Sequence, residues 1–521
     1  MLDKQKIETY NNLNNWQNFR LRLVGEGILV GVFSGCVVGF FRFALNYADV
    51  CRAQIYTFLS SISLIYVSGL VALFLCIAFV LSRLVAYEPL SAGSGIPQVK
   101  GNILGLYKTV WWRIILSKLL GGILGIGAGL SLGREGPAIQ LGAMTGQGLS
   151  RFLGRTRMEE RYLISSGAGA GLAAAFNAPL AGVIFTLEEL HKNFSVVVLL
   201  PSLAAALTAT IISRIFFGQD TIFLFPDLSR FPVQYFPYLA VLGICLGLFG
   251  TFFNYCLLKS TDFYKLSIFK NNFMRISFPL LLAIPLGFYL PQVLGGGNQL
   301  VDALVAMDFS LQVLLLLVGC KFIFTMLSYG CGVPGGFFLP MLVIGALTGN
   351  ILGSVLVDVG LLAPYYRIHV IIFAMAGFFS ASVRAPITGI ILIMEMTASF
   401  KHLVPLAIVA VFSYVVAELC HSKPIYDSLL QKALAKDKAN AQAMEKNCTR
   451  NVIELSVESG SFIEGKMIKN IPWPEHTLLV DVKRGENDIV PSGDTKIIAG
   501  DYLYVLTDTE NCQRVRELVE K

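Results

Sequence analysis

Apolar stretches of near-membrane length, repeatedly interrupted by glycine and proline, constrain this chain more than any other feature. They occupy residues 23–45, 64–86, 196–217, 235–258, 276–294, 311–326 and 404–419. A helix crossing the hydrocarbon core needs about 20 apolar residues. Several of these stretches are shorter or broken, so a simple count of spans is not expected to describe the fold. With 55% hydrophobic and 14% charged residues among 521, the chain reads as an all-α polytopic membrane protein, not a soluble enzyme. The first 22 residues carry Asp3, Lys4, Lys6, Glu8, Arg20 and Arg22. They do not read as a signal peptide, and their basic character predicts a cytoplasmic N-terminal segment, 1–22. The formal charge of +7 is assigned to cytoplasmic loops, not to nucleic-acid binding. Ten cysteines, among them Cys36, Cys76, Cys245 and Cys320 in apolar runs, show no CxxC or Cys/His spacing. Reduced thiols and no metal site are therefore expected.

The character of the chain changes near Pro424. Residues 431–449 are polar and Ala/Lys-rich, and read as a helical linker. Period-2 runs follow at 451–457, 477–482 and 502–507, parted by turn signals at Ser459-Gly460, Arg484-Gly485 and 499–501, with a closing helix at 515–521. Residues 450–521 are thus predicted to form a small β-rich α+β domain facing the cytosol.

The membrane part, 23–430, contains a repeat, with halves at about 23–217 and 235–420. Lys118 matches Lys321, Gly127 Gly330, Gly129 Gly332, Gly133 Gly336 and Pro137 Pro340; GAMTG at Gly142 matches GALTG at Gly345. All are 203 positions apart. Further on Pro179 matches Pro386, Gly182 Gly389 and Glu188 Glu395, 207 apart. Tandem halves in a membrane protein point to a transporter or channel whose site lies where helices are discontinuous. Inverted halves are expected, because inversion brings matching broken helices to one central point from opposite sides.

Within this frame the stretch SLGREGPAIQLGAMTG, 131–146, places Arg134 and Glu135 where the chain tolerates charge least. In the repeat register Glu135 corresponds to Phe338 and Arg134 to Phe337. Each half puts glycine and proline at the start of an apolar helical segment, where glycine permits a bend and proline suits the first turn. A helix beginning inside the membrane aims free N–H groups and about half a positive charge beyond its N-terminus. Several such starts converging would bind an anion. A third candidate start is SAGSGIPQVKG, 91–101, in which Ser94 offers a hydroxyl donor or caps its own helix. Glu135 is expected beside the anion path as a tethered competitor that swings away when protonated. Poor solvation favours its neutral form and the helix dipoles its charged form, so titration in a usable range is expected. An ion pair with Arg134 is disfavoured, since adjacent helical residues do not face each other. Glu188 has a repeat partner and Glu189 does not, which marks Glu189 as a second proton station, with a snorkelling helix-end carboxylate as its alternative.

The motifs GSGIP (93–97), GREGP (133–137), GGFFLP (335–340) and KPIY (423–426) resemble those of the CLC family of chloride channels and chloride/proton antiporters, over roughly residues 20–440. The resemblance implies a homodimer in the lipid bilayer, inverted repeats and one pore per subunit. It implies chloride coordination by the hydroxyls of Ser94 and Tyr426 and by the backbone N–H groups of Phe337 and Phe338. It also implies Glu135 as gating glutamate and Glu189 as the internal proton glutamate that marks antiporters. Chloride and protons are then the partners, with no cofactor beyond bound chloride, in a bacterial plasma membrane with both termini cytoplasmic. Gln98 and Lys100 depart from the acids frequent in bacterial relatives. Residues 450–521 are similar to TrkA-C domains, which implies regulation that depends on ligand or on conformation, an unidentified small ligand being one candidate partner. A passive chloride channel of the same fold is the alternative to exchange. A potassium pathway lacks a TVGYG-type filter, SYGCG at 328–332 coming nearest. No HExxH or paired aspartates support an enzyme, and the five histidines are dispersed.

Overall fold

Close helix contacts at glycine organise the first of two units, Met1–Lys432 and Ala433–Lys521. In this computed structural model the described residues are 2–60, 65–219, 222–223, 225, 228–442, 450–457, 461–484, 487–508 and 511–520; of residues 2–20, 60, 65–66, 436–442, 450–452, 454, 487–488 and 520 only the backbone is described. The longest helix, Leu2–Ser60, lies against Val196–Phe217 through a stripe at Gly27, Gly31 and Gly35. A Cβ at Gly31 would stand 2.8 Å from the Thr208 Cβ and one at Gly35 3.1 Å from the Ala209 Cα. Helices Glu135–Phe152 and Arg157–Phe176 meet in the same way, Gly142 against Gly167 and Gly171 against Ala138. Small residues spaced by four are how apolar helices associate where water supplies no driving force.

Among the described residues nine helices are long and apolar enough to cross a membrane: Leu21–Leu59, Val67–Tyr87, Val196–Phe217, Val233–Phe263, Asn272–Tyr289, Leu311–Gly330, Phe338–Asp358, Pro364–Val383 and Phe400–Leu419. Shorter helices, Ile96–Ile103, Pro179–Phe185, Asn298–Ala306 and Pro386–Met396, account for the broken pattern. The backbone is helical from Leu2, without a break at the expected boundary near residue 22. Helix Ile425–Gln442 likewise runs through the start of the expected linker, because its Ala/Lys-rich composition favours helix. The rest of that linker, 443–449, lies outside the described residues.

The two halves are joined through their own equivalent residues. Gly133 and Gly336, repeat mates by sequence, pair antiparallel, each N–H donating to the other's carbonyl. Glu188 accepts from the backbone N–H groups of Ile387 (3.1 Å) and Thr388 (2.7 Å). Its mate Glu395 accepts from Leu180 (3.1 Å) and Ala181 (2.8 Å). Each half therefore caps a helix start of the other, and reciprocal contacts between equivalent residues define a local two-fold relation.

The second unit is a four-stranded antiparallel sheet of β1 (Arg450–Ser456), β2 (Leu478–Arg484), β3 (Asn487–Ile489) and β4 (Asp501–Asp508), in the order β1-β4-β2-β3. Helix Cys512–Glu520 closes it through Val515 and Val519, which join Leu455, Val482, Leu503 and Val505 in its core. Three strands and the helix match the sequence expectation. The additional strand, β3, is only three residues long, too short for a period-2 signal. The turn signals at Ser459-Gly460 and Gly485 fall outside the described residues. Arg484 and Asp501, opposite each other on β2 and β4, form a two-pronged ion pair at 2.8 Å for both contacts.

Candidate functional site

Helices Glu135–Phe152 and Phe338–Asp358 begin at equivalent residues, two positions beyond the Gly133–Gly336 crossing. Helices Ile96–Ile103 and Ile425–Gln442 begin beside them. The first turn of a helix has N–H groups without internal acceptors, and the N–H groups of Phe337 and Phe338 belong to that class. Both phenylalanine rings are fully buried. Phe337 stacks on Tyr426 (5.3 Å between centroids) and meets Tyr329 edge-on (4.9 Å).

Ser94 is held by a loop that a buried lysine organises. The Lys118 ammonium, completely buried, donates to the carbonyls of Ser91 (2.9 Å) and Gly93 (2.6 Å). Gly93 and Gly95 take φ of +66° and +94°, which a side chain would resist. The second half repeats the construction: Lys321 donates to Val293 and Gly295, both at 2.8 Å, and Gly295 and Gly297 take φ of +61° and +94°. Ser94 stands where the second half has Gly296, so its hydroxyl is peculiar to the first half. Gly136, in the first turn of its helix, lies so close that a Cβ there would stand 2.7 Å from the Ser94 Oγ.

Three side chains converge on this point with buried oxygens that lack hydrogen-bond partners: Ser94 Oγ, the Tyr426 hydroxyl and both carboxylate oxygens of Glu135. The Glu135 carboxylate lies beside its own N–H and that of Leu339 without full hydrogen-bond geometry to either. A buried polar group normally has a partner. The two hydroxyls are donors left free at the meeting of helix N-termini, and the Glu135 carboxylate, an acceptor only, lies at the same place. Arg134 makes no ion pair with Glu135 among the described residues; its Nη1 donates to Asn46 (3.3 Å).

Glu189 lies elsewhere, in a π-helical turn, Thr186–His191, that follows helix Pro179–Phe185. Such turns re-aim side chains and recur at functional sites. The same turn points Glu188 to the other half, as its helix cap, and buries Glu189 against Lys100 (3.0 Å). Lys100 also pairs with Asp427, the residue after Tyr426, and Asp427 with Lys192.

Sequence reasoning noted Lys118 and Lys321 only as repeat markers, and did not find Tyr329, whose hydroxyl lies beside the Ser94 backbone. The signal for the loop was present: the repeat extends upstream, GSG at 93–95 against GGG at 295–297.

Paired broken helices that meet at buried, unpartnered hydroxyls, in a chain with many apolar spans, define a multi-pass membrane transport protein built on two inverted repeats. The chain belongs to the voltage gated chloride channel family, whose profile matches residues 73–418, and residues 452–520 match the TrkA-C domain. It is similar to the H(+)/Cl(-) exchange transporter ClcA of Vibrio parahaemolyticus, 34% identical over 436 residues that cover 80% of this chain and 91% of the relative. The ClcA of Klebsiella pneumoniae is 35% identical over 393 residues, 72% of this chain and 82% of the relative. Among solved structures, a slow cyanobacterial Cl-/H+ antiporter superposes with a TM-score of 0.76 at 32% identity, covering 80% of this chain and 99% of that one. A CLC-type fluoride/proton antiporter superposes at 0.62 and 27% identity, covering 76% and 95%.

Proposed function

We propose that the protein exchanges chloride for protons across a bacterial plasma membrane, as a homodimer with both termini cytoplasmic. The observation that carries this reading is the convergence of unpartnered Ser94, Tyr426 and Glu135 oxygens on the N-termini of broken helices. Chloride is the cargo, held by the two hydroxyls and by N–H groups of Phe337 and Phe338. No full countercharge touches it, so it is bound without being trapped. Glu135 as a carboxylate occupies the same berth; protonated, it leaves, and the proton it carries moves against chloride. Glu189, buried and absent from the second half, receives that proton at a separate point. The similarity to named exchangers supports exchange over a passive channel, and so does the presence of Glu189. The TrkA-C unit is assigned a regulatory role through a small ligand.

The test is purified protein in liposomes, with chloride efflux and proton movement recorded together. A chloride gradient is expected to drive protons uphill. Chloride efflux without proton movement would establish the passive channel instead. Glu189→Gln is expected to lower proton flux by about 10²-fold while chloride still moves; retained coupling would remove Glu189 from the path. Gly136→Ala is expected to weaken chloride binding at least about tenfold, roughly 1.4 kcal/mol, because the added methyl meets Ser94 Oγ. Calorimetric chloride titration reads this directly, and an unchanged affinity would separate Ser94 from the anion.

A further inference from the structure

One of the two residues that depart from the acids frequent in bacterial relatives, Lys100, touches Glu189 itself. Its ammonium lies 3.0 Å from Glu189 Oε1 and also pairs with Asp427. Lys100 and Glu189 are both buried, and a buried charge is costly unless it is paired. Asp427 in turn accepts from Lys192, the residue that ends the π-helical turn carrying Glu189. The cluster holds two carboxylates and two ammonium groups, so it is neutral when both acids are ionised.

Its placement links the two ions. Lys100 sits on helix Ile96–Ile103, which starts two residues beyond Ser94. Asp427 sits in the first turn of helix Ile425–Gln442, next to Tyr426. The Lys100–Asp427 pair therefore fastens the short helix that follows Ser94 to the start of the helix that carries Tyr426. The remaining contact of Lys100 fastens that assembly to Glu189. The charged and titratable groups facing Glu189 are Lys100 from the first of these helices, Asp427 and Tyr426 from the second, and Lys192 from its own turn. His191, on the same turn, is engaged by Ser165 Oγ at 2.6 Å and faces Arg161 of helix Arg157–Phe176.

We propose that Lys100 is the positioning residue of the proton leg, holding Glu189 as a carboxylate and tying its protonation, through Asp427, to the segment that bears Tyr426. This rests on the reading of Glu189 as a proton station. Protonating Glu189 releases one of the two contacts of Lys100. The ammonium then belongs to Asp427 alone, and the helix carrying Tyr426 is held differently. Proton arrival is so communicated to a chloride-ligating hydroxyl through two ion pairs.

The proposal predicts opposite effects from the two partners of the pair. Removing the positive neighbour makes a carboxylate easier to protonate, and removing a negative neighbour makes it harder. The carboxyl infrared band of Glu189, identified by subtraction of Glu189→Gln, is titrated in purified full-length protein in detergent. Lys100→Met is expected to move the midpoint up by about one pH unit, a tenfold change in proton affinity. Asp427→Asn moves it down, and Lys100→Arg, which keeps the charge, stays near the unaltered protein. A structural role alone would leave the midpoints of correctly folded variants together, and so would overturn the proposal, as would shifts in the same direction. Because this readout needs no transport, it stands apart from the liposome assay. Should Lys100→Met fail to fold, the comparison of Asp427→Asn with Lys100→Arg decides: a midpoint unmoved by Asp427→Asn overturns the proposal.

Discussion

Glu135→Gln is expected to stop uphill proton movement, lowering it by about 10²-fold or more, while chloride continues to cross at a rate that no longer changes with pH. The carboxylate opens helix Glu135–Phe152, with both oxygens buried and no hydrogen-bond partner. It stands in the field that favours an anion at a helix N-terminus, which is also the field that attracts chloride. Two anions cannot share that position. Acid therefore speeds chloride in the unaltered protein, since protonation removes the competitor; alkali slows it. Glutamine keeps the shape of the protonated acid but can neither compete as an anion nor carry a proton. Chloride efflux from liposomes at several pH values, with a proton electrode in the same vessel, gives both curves. A Glu135→Gln protein that still pumps protons, or keeps its pH dependence, would sink the tethered-anion account.

The second large effect is expected at Lys118. Lys118→Met keeps length and volume but leaves the carbonyls of Ser91 and Gly93 buried without their donor. An orphaned buried acceptor costs about 1–3 kcal/mol, so two cost roughly 2–6 kcal/mol before relaxation. Relaxation here means movement of the loop that carries Ser94, and chloride affinity is expected to fall at least about tenfold, roughly 1.4 kcal/mol. Lys321→Met removes the equivalent ammonium from the other half and should cost similar stability. Its loop, however, presents Gly296 instead of a hydroxyl, so chloride affinity should fall much less. Thermal unfolding and calorimetric chloride titration on both variants separate the two effects. Equal losses of affinity would show that Lys118 acts on stability alone.

Much of this arrangement was legible along the chain because the repeat is a backbone device. Lys118 and Lys321, or Gly133 and Gly336, hold equivalent places in two folded halves, so their types recur at a fixed interval. The starts at Glu135 and Phe338 were legible because glycine permits the sharp bend, and proline suits the first turn, of a helix that begins abruptly in an apolar segment. The split between Glu188 and Glu189 could also be read, since only one of them has a mate. What each lysine or glutamate touches could not be read in this way. Lys118 reaches carbonyls 25 and 27 residues upstream, and Glu188 caps a helix 199 residues away. Contacts across such separations leave no periodic trace.

The sequence by itself determined a membrane protein of two related halves, the places where its helices break, and a β-rich unit at the end. These follow from hydropathy, from residues with restricted or permissive backbones, and from period-2 alternation, all of which are local properties. Only the tertiary structure decided that Gly133 meets its own repeat mate, that four helix starts surround three unpartnered side chains, and that Lys100 closes on Glu189 and Asp427. The reason is physical: burial of a charge is tolerable only beside a particular partner, and that partner is chosen by packing in space.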